Sequence, residues 1–257
     1  FWARVDGVFC NSTAAKRMLQ LRWGCPLDIA VCLNGVAPTR RRLSATVRQM
    51  PRGRPFRFGT AGHLRTSKGA HVAIAAIAEL ARRGVDAELR IAGIGPKENE
   101  LRAYAQRLGV VERIHFHGFV NDMDSFYDEL DCYVHPSMRE AFGLVCAEAM
   151  LSGCPAIVTE IDGLPEVVIH GRTGLCVAPR CEVGELKSLY TELEPRVNCA
   201  YDPSTDAIVE PRFIAPIDLA DAMGEMATRP ALLEKFSRQA IEDANGRLSF
   251  ERHMQRV

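Results

Sequence analysis

The sequence predicts an α/β protein: a doubly wound parallel sheet followed by C-terminal helices. Between Phe56 and Pro179, apolar runs of strand length alternate with helix-length segments, the pattern that builds a parallel sheet with helices on both faces. Glycine or proline punctuates most of the junctions. The residues capable of chemistry fall in strand-to-helix loops, at the carboxyl ends of the strands, where such sheets bind ligands.

Ahead of the alternating region, VDGVFC (5–10) reads as a buried strand, and Ser12 or Thr13 as the cap of a helix to about Trp23. DIAVCLNGV (28–36) is a further strand ending in a loop at Asn34-Gly35. Residues 39–55 carry six arginines, two prolines and little apolar periodicity, and read as a basic linker. Arg40, Arg41, Arg42 and Arg48 could touch an anionic substrate or a lipid headgroup, although a solvated face explains such a run more simply.

FRFGTAG (56–62) is a strand running into a glycine turn. KGAHVAIAAIAELARRG (68–84) is a helix, with Ala73, Ala76, Ile77 and Leu80 on one face and Gly84 as its stop. AELRIAG (87–93) is a strand, 97–108 a helix ending at Gly109, and RIHFHG (113–118) a strand. DSFYDEL is a short helix, DCYVHPS a strand, GLVCAEAMLSG a helix, and PAIVT and GLCVAP the last two strands. Residues 180–212 lose the alternation and read as an irregular insertion within a domain of residues 56–214. The segment 215–257 is helical.

Hydrophobic residues make up 47% of the 257, an ordinary globular composition. Lys and Arg equal Asp and Glu at 32 each, so the charge balance points to no nucleic acid. Nine cysteines without a C-x-x-C pair argue against zinc and against a secreted disulfide framework, and suggest reduced thiols in a cytoplasmic protein. No apolar run reaches membrane-spanning length and no signal peptide is apparent. The chain opens on Phe1 in what looks like the middle of a strand, so a fragment is expected.

Residues 140–148, EAFGLVCAE, place a carboxylate on each side of a glycine. A helix opening at Gly143 leaves the amides of Phe142, Gly143 and Leu144 as unsatisfied donors at a positive dipole end, a seat for phosphate. Glu148 lies roughly 7 Å further along the axis, where a carboxylate can accept from two ribose hydroxyls. Glu140 faces whatever is attached beyond the phosphates. An ordinary helix with one capping and one exposed glutamate shares this spacing, so the segment is weak evidence alone. Elsewhere, GIGP (93–96) is not a G-x-G-x-x-G fingerprint and no ribose-binding acid follows it, which disfavours NAD. His135 fits a core histidine as well as a ligand, and His115 and His117 alternate along a strand as structural residues.

The segment is not alone. HPSMREAFGLVCAEAMLSGCPAIVTEIDGLPEVVIHGRTGLCV (135–177) strongly resembles the donor-binding signature of the retaining glycosyltransferases of family 4, which have the GT-B fold. The matching pieces are Pro136-Ser137, Glu140, Phe142-Gly143, Glu148-Ala149-Met150, Gly153-Cys154-Pro155, Glu166, Gly171 and Gly174. GTAGHLRTSKG (59–69) resembles the family's glycine-rich turn with its Lys-Gly, and residues 89–120 its nucleobase segment. The resemblance is close over 56–179 and looser over 1–38 and 215–257.

The resemblance implies that Lys68 binds the diphosphate and offsets charge on the leaving nucleotide. It implies that Glu140 holds the donor sugar, Glu148 the ribose, and Phe142, Gly143 and Leu144 supply amides. Gly62, His63 and Arg65 would form the phosphate loop, with His63 where the family has arginine and Arg65 as a substitute. Gly93, Gly95 and Val120 would line the nucleobase slot, although turn geometry explains the two glycines equally well. Asp162 stands where the family has a small residue, which would alter the grip on the sugar.

The same resemblance implies a hexosyl transfer from a nucleotide-sugar donor, without metal or other cofactor. The acceptor, whether glycan, lipid or small molecule, would sit on a first Rossmann-like domain of which residues 1–38 are a remnant. Any peripheral membrane association would run through that domain. A non-catalytic sugar-nucleotide-binding module and a same-fold epimerase are the competing readings. A phosphorylase would need a pyridoxal-phosphate lysine site, which cannot be located.

Overall fold

The computed structural model of the chain describes residues 2–37, 45–182 and 198–256. Arg40, Arg41 and Arg42, and residues 183–197 of the expected insertion, lie outside them.

The first strand, β1 (Val8–Cys10), leads into helix α1 (Thr13–Trp23) and then β2 (Ile29–Val31), which pairs parallel to β1. The predicted strands are thus shorter than the apolar runs. Ser12 is the N-cap of α1, its hydroxyl accepting from Ala15 N–H at 2.9 Å. The segment from residue 45 to 55 has no regular structure but is docked rather than solvated. Arg54 makes a two-pronged ion pair with buried Asp131, at 2.7 and 2.8 Å. Arg48 donates to the Tyr127 carbonyl at 3.0 Å and lies 4.0 Å from Asp128. Arg48 therefore corrects both expectations for it: it is neither a solvated charge nor a free contact for an anion, because a backbone carbonyl holds its guanidinium.

The main sheet is assembled from β3 (Phe56–Ala61), α2 (Ala70–Arg82), β4 (Ala87–Ala92), α3 (Glu98–Arg107), β5 (Ile114–Gly118), α4 (Met123–Asp128), β6 (Cys132–His135), α5 (Leu144–Leu151), β7 (Ala156–Thr159), α6 (Leu164–Val167) and β8 (Gly174–Val177). A hairpin of β9 (Ala200–Asp202) and β10 (Ala207–Val209) follows, then α7 (Pro216–Thr228), α8 (Pro230–Asn245) and α9 (Phe250–Met254). The insertion is therefore not wholly irregular. Its strands are three residues each, too short to show an alternating period.

The six strands are parallel in the order β5-β4-β3-β6-β7-β8. Alternate residues enter opposite cores, as the two-residue period of a strand requires. Cys132, Val134, Ile157 and Leu175 join the cluster under α2, α3 and α7. Tyr133, Ala156, Val158 and Cys176 join the cluster under α4, α5 and α6. Both faces are covered, which is why the strands read as unbroken apolar runs. Helix α8 wraps from one side to the other, Leu233 and Phe236 entering the first cluster and Ala240 and Ala244 the second.

The C-terminal helix returns to the first unit. Val36 bridges Ser249, with Val36 N–H donating to Leu248 O and Phe250 N–H to Val36 O. All nine cysteines are buried free thiols. Among the described residues, no helix is long and apolar enough to cross a membrane.

Candidate active site

Strand order fixes where a ligand can enter. The chain lays down β3, β4 and β5 outward in one direction, then returns to place β6 on the other side of β3. The loops leaving β3 and β6 go to helices on opposite faces, α2 and α5, the arrangement that in parallel sheets leaves a ligand crevice between the two loops. The β3–β6 pairing ends at Gly59 and Tyr133. Beyond it the Tyr133 hydroxyl takes the place of a strand partner, accepting from Ala61 N–H at 3.0 Å and donating to Ala61 O at 3.2 Å.

The two loops are locked together by backbone contacts. Met138 N–H and the Ser137 hydroxyl both donate to Ser67 O, at 3.0 and 3.2 Å. Gly69 has φ +74°, and a Cβ there would lie 2.0 Å from Pro136 O. Only glycine lets the Lys68-Gly69 turn lie against Pro136-Ser137. This close approach brings Lys68 Nζ to 2.8 Å from Glu140 Oε2. His135, the last residue of β6, places Nε2 3.1 Å from the same oxygen. Burial alone would raise the Glu140 pKa; the His135 hydrogen bond and then the charge of Lys68 overcome it and hold the carboxyl at about 2. Glu140 is thus an ionised acceptor at the mouth of α5.

Helix α5 opens at Gly143 and its first amides have no intrahelical acceptor. The Phe142 side chain is in the core, so Phe142 can offer only backbone, whereas the Leu144 side chain is exposed. Glu148, on the next turn of α5, accepts from the Tyr127 hydroxyl at 3.0 Å through Oε2. Tyr127 is fully buried, so it fixes the direction of the carboxylate. Sequence reasoning missed it, since the contact joins positions 21 apart and the helix carrying it has six residues.

Across the crevice, Gly62, His63 and Arg65 form an exposed loop in which Arg65 Nε donates to His63 Nδ1 at 3.0 Å. Arg65 therefore presents its guanidinium beside the position His63 occupies. Gly93 and Gly95 lie against this loop: a Cβ would fall 1.9 Å from Gly62 O and 2.5 Å from Leu64 O. Their identity follows from backbone approach, whatever else the slot holds. Val120 is half-buried and packs its side chain into the core.

Asp162 is 3% exposed with φ +47°, in the left-handed region that usually falls to glycine. Its carboxylate accepts from Glu140 N–H at 3.0 Å, Tyr201 N–H at 2.7 Å and Arg139 Nε at 2.8 Å. It braces the backbone under Glu140 against the β9–β10 hairpin. Glu160 separates from it and lines a cavity of about 450 Å³ with Ile161, Pro179 and Ser204. Glu166 serves elsewhere as well, since its carboxylate accepts from Thr13 and Ala14 N–H at 2.7 and 2.8 Å, capping α1 from the main domain. His115 sits 3.4 Å from Glu88 and His117 against the Phe126 ring, both away from the crevice. Among the described residues, no three His, Cys, Asp or Glu side chains form a group that could hold a metal ion.

A crevice at a switch point, with a lysine, helix-end amides and two fixed carboxylates, defines an α/β protein suited to an anionic ligand that also carries hydroxyl groups. The family model for glycosyl transferases group 1 matches residues 48–195, more than half of the chain, and the chain belongs to that family. It is 32% identical over 179 residues to the glycogen synthase of Mycobacterium tuberculosis (strain ATCC 25618 / H37Rv), covering 69% of this chain and 42% of that protein. It is 32% identical over 204 residues to the D-inositol 3-phosphate glycosyltransferase of Corynebacterium jeikeium, covering 75% of this chain and 43% of that protein. The chain thus spans less than half the length of these relatives. The structure of Anabaena Alr3699/HepE, solved in complex with UDP and glucose, superposes with a TM-score of 0.71 at 20% identity, covering 98% of this chain and 62% of that one. The sheet is accordingly that of the GT-B glycosyltransferases.

Proposed function

We propose that this chain is the donor-binding half of a retaining glycosyltransferase of family 4, and that the full-length protein moves a hexosyl group from a nucleotide-diphosphate sugar to an acceptor held by its other half. The observation that carries the reading is the meeting of Lys68 and Glu140 across the switch-point crevice, with Glu148 of α5 fixed by Tyr127 of α4. In this reading the α5 amides and Lys68 take the diphosphate, with His63 and Arg65 closing over it. Glu148 takes the ribose, Glu140 the sugar, and the loop at Gly93, Gly95 and Val120 the base. Lys68 and the helix dipole then offset charge growing on the leaving diphosphate, and positioning does the remainder. Neither metal nor other cofactor enters this scheme, and the protein works in the cytoplasm.

Calorimetric titration with UDP, GDP and ADP tests the reading. Micromolar binding of one nucleotide is expected, falling by at least about tenfold in Glu148→Ala, as the loss of charge-assisted hydrogen bonds to a ligand implies. Equal binding by the variant, or no binding by the unaltered chain, rejects the site. His63 in the arginine position favours a second reading, a module that binds sugar nucleotides without transfer. Lys68→Ala in the full-length protein separates the two. Transfer should fall by about two to three orders of magnitude if Lys68 stabilises the leaving group, and no transfer by the unaltered protein leaves the module.

A further inference from the structure

Lys68 and His135 converge on one atom, Glu140 Oε2, at 2.8 and 3.1 Å. The two donors are not equivalent. Lys68 is about one-third exposed, on a flexible stem at the end of a single 3-10 turn, and its ammonium is a mobile point charge. His135 is 2% exposed, ends β6, and stacks nearly parallel on the Tyr133 ring at 6.2 Å and 16°. The Tyr133 hydroxyl is itself tied to both backbone groups of Ala61. The imidazole cannot leave its place without opening the sheet.

Beside a carboxylate oxygen Nε2 must carry the proton, because two acceptors would repel. Nδ1 is buried and has no hydrogen-bond partner among the described residues. A buried imidazole with one unmet nitrogen is a poor way to fill space, since an apolar side chain would pack there without stranding a polar atom. The ring is retained for the one bond it makes.

We propose, building on the donor-site reading above, that His135 is a positioning residue for the donor sugar: it is the permanent holder of the Glu140 carboxylate, and Lys68 is a temporary one. Lys68 and Glu140 satisfy each other. An arriving diphosphate, with more than one negative charge, competes for Lys68 and draws it off. Glu140 then loses one donor but not its aim, since His135 still holds Oε2 and Asp162 still holds the Glu140 amide at 3.0 Å. The acceptor sites released on the carboxylate become open to sugar hydroxyls. The grip on the sugar is therefore made available by the arrival of the phosphates. No covalent step is involved.

The test compares the unaltered chain with His135→Phe, which keeps the ring and its stacking but lacks the donor, and His135→Gln, which restores an N–H donor. Each is titrated by calorimetry with UDP, GDP and ADP and with UDP-glucose, GDP-mannose and ADP-glucose. The expected result is diphosphate affinity within about twofold of the unaltered chain in His135→Phe, with the ratio of sugar-nucleotide to diphosphate affinity falling about tenfold, the scale of one charge-assisted hydrogen bond. His135→Gln should recover most of that ratio. Adding His135→Phe to a Glu140→Gln background should change the ratio no further, because the imidazole acts only through that carboxylate. An unchanged ratio in His135→Phe, or an equal loss for diphosphate and sugar nucleotide, overturns the proposal while leaving the donor site standing. No binding of any diphosphate by the unaltered chain overturns the donor-site reading and this proposal with it.

Discussion

Glu140 shows how much a single position is decided by its surroundings. Its carboxyl is held at about 2, against an ordinary value of 4.5, because the His135 hydrogen bond and the charge of Lys68 outweigh burial. A carboxyl lowered in the fold contributes stability that is complete above its unfolded pKa and is lost as pH falls toward its folded one. The window here runs from 4.5 down to about 2. The contribution is on the order of 3 kcal/mol at neutral pH, since one unit is worth about 1.4. Urea unfolding across a pH series should show the unaltered chain losing this advantage over Glu140→Gln through that window. A gap between the two that does not change with pH would contradict the assignment. Glu140 and Glu148 stood out in the sequence by their spacing about Gly143, and Lys68 by the resemblance of residues 59–69. Tyr127 and the bracing role of Asp162 did not, because each acts on residues more than twenty positions away.

At the scale of elements, the β9–β10 hairpin ties the two parts of the chain together. Arg17 on α1 makes a two-pronged ion pair with Asp206 at 2.7 and 2.6 Å, and the Tyr201 hydroxyl adds a bond to Asp206 at 2.8 Å. On its other side Tyr201 N–H meets Asp162, and Asp162 meets the Glu140 amide. A continuous set of bonds therefore runs from α1 through the hairpin to the loop that carries Glu140. The Arg17 pair lies at the surface, where water and salt screen it, so Arg17→Ala should barely move the urea midpoint. Limited proteolysis should show the change concentrated in faster cutting around residues 203–206, and uniform loss of protection would argue against a strut. The strands of the main sheet and its longer helices were legible because their apolar periods run four residues or more, whereas the single turn of α6 was not read. The hairpin was not, since Asp202 to Asp206 carries turn residues and leaves only three on each side.

At the scale of the whole molecule, two units of unequal size share one chain. The sheet from β3 to β8 is buried on both faces, whereas the unit of β1, α1 and β2 has a small apolar cluster built on Cys10, Cys25 and Ile29. The small unit is held by its neighbours: Glu166 caps α1, the Ser12 hydroxyl donates to Ala141 O, and the segment after β2 meets α9 through the Val36–Ser249 bridge and the His253–Leu33 O contact. Its alternation was legible in the sequence, but its dependence on these distant contacts was not. The buried thiols turn this inequality into a clock. Burial makes them unreactive in the native state and pushes the Cys154 thiol up to about 12. A thiol-trapping reagent can then tag a cysteine only in the moments when its surroundings part. Mass-spectrometric mapping over time should find Cys10, Cys25 and Cys32 tagged well before Cys132 and Cys154. Tagging of all five at one rate would mean that the chain opens as a single cooperative body. The cysteines, inert in the folded protein, record the order in which it comes apart.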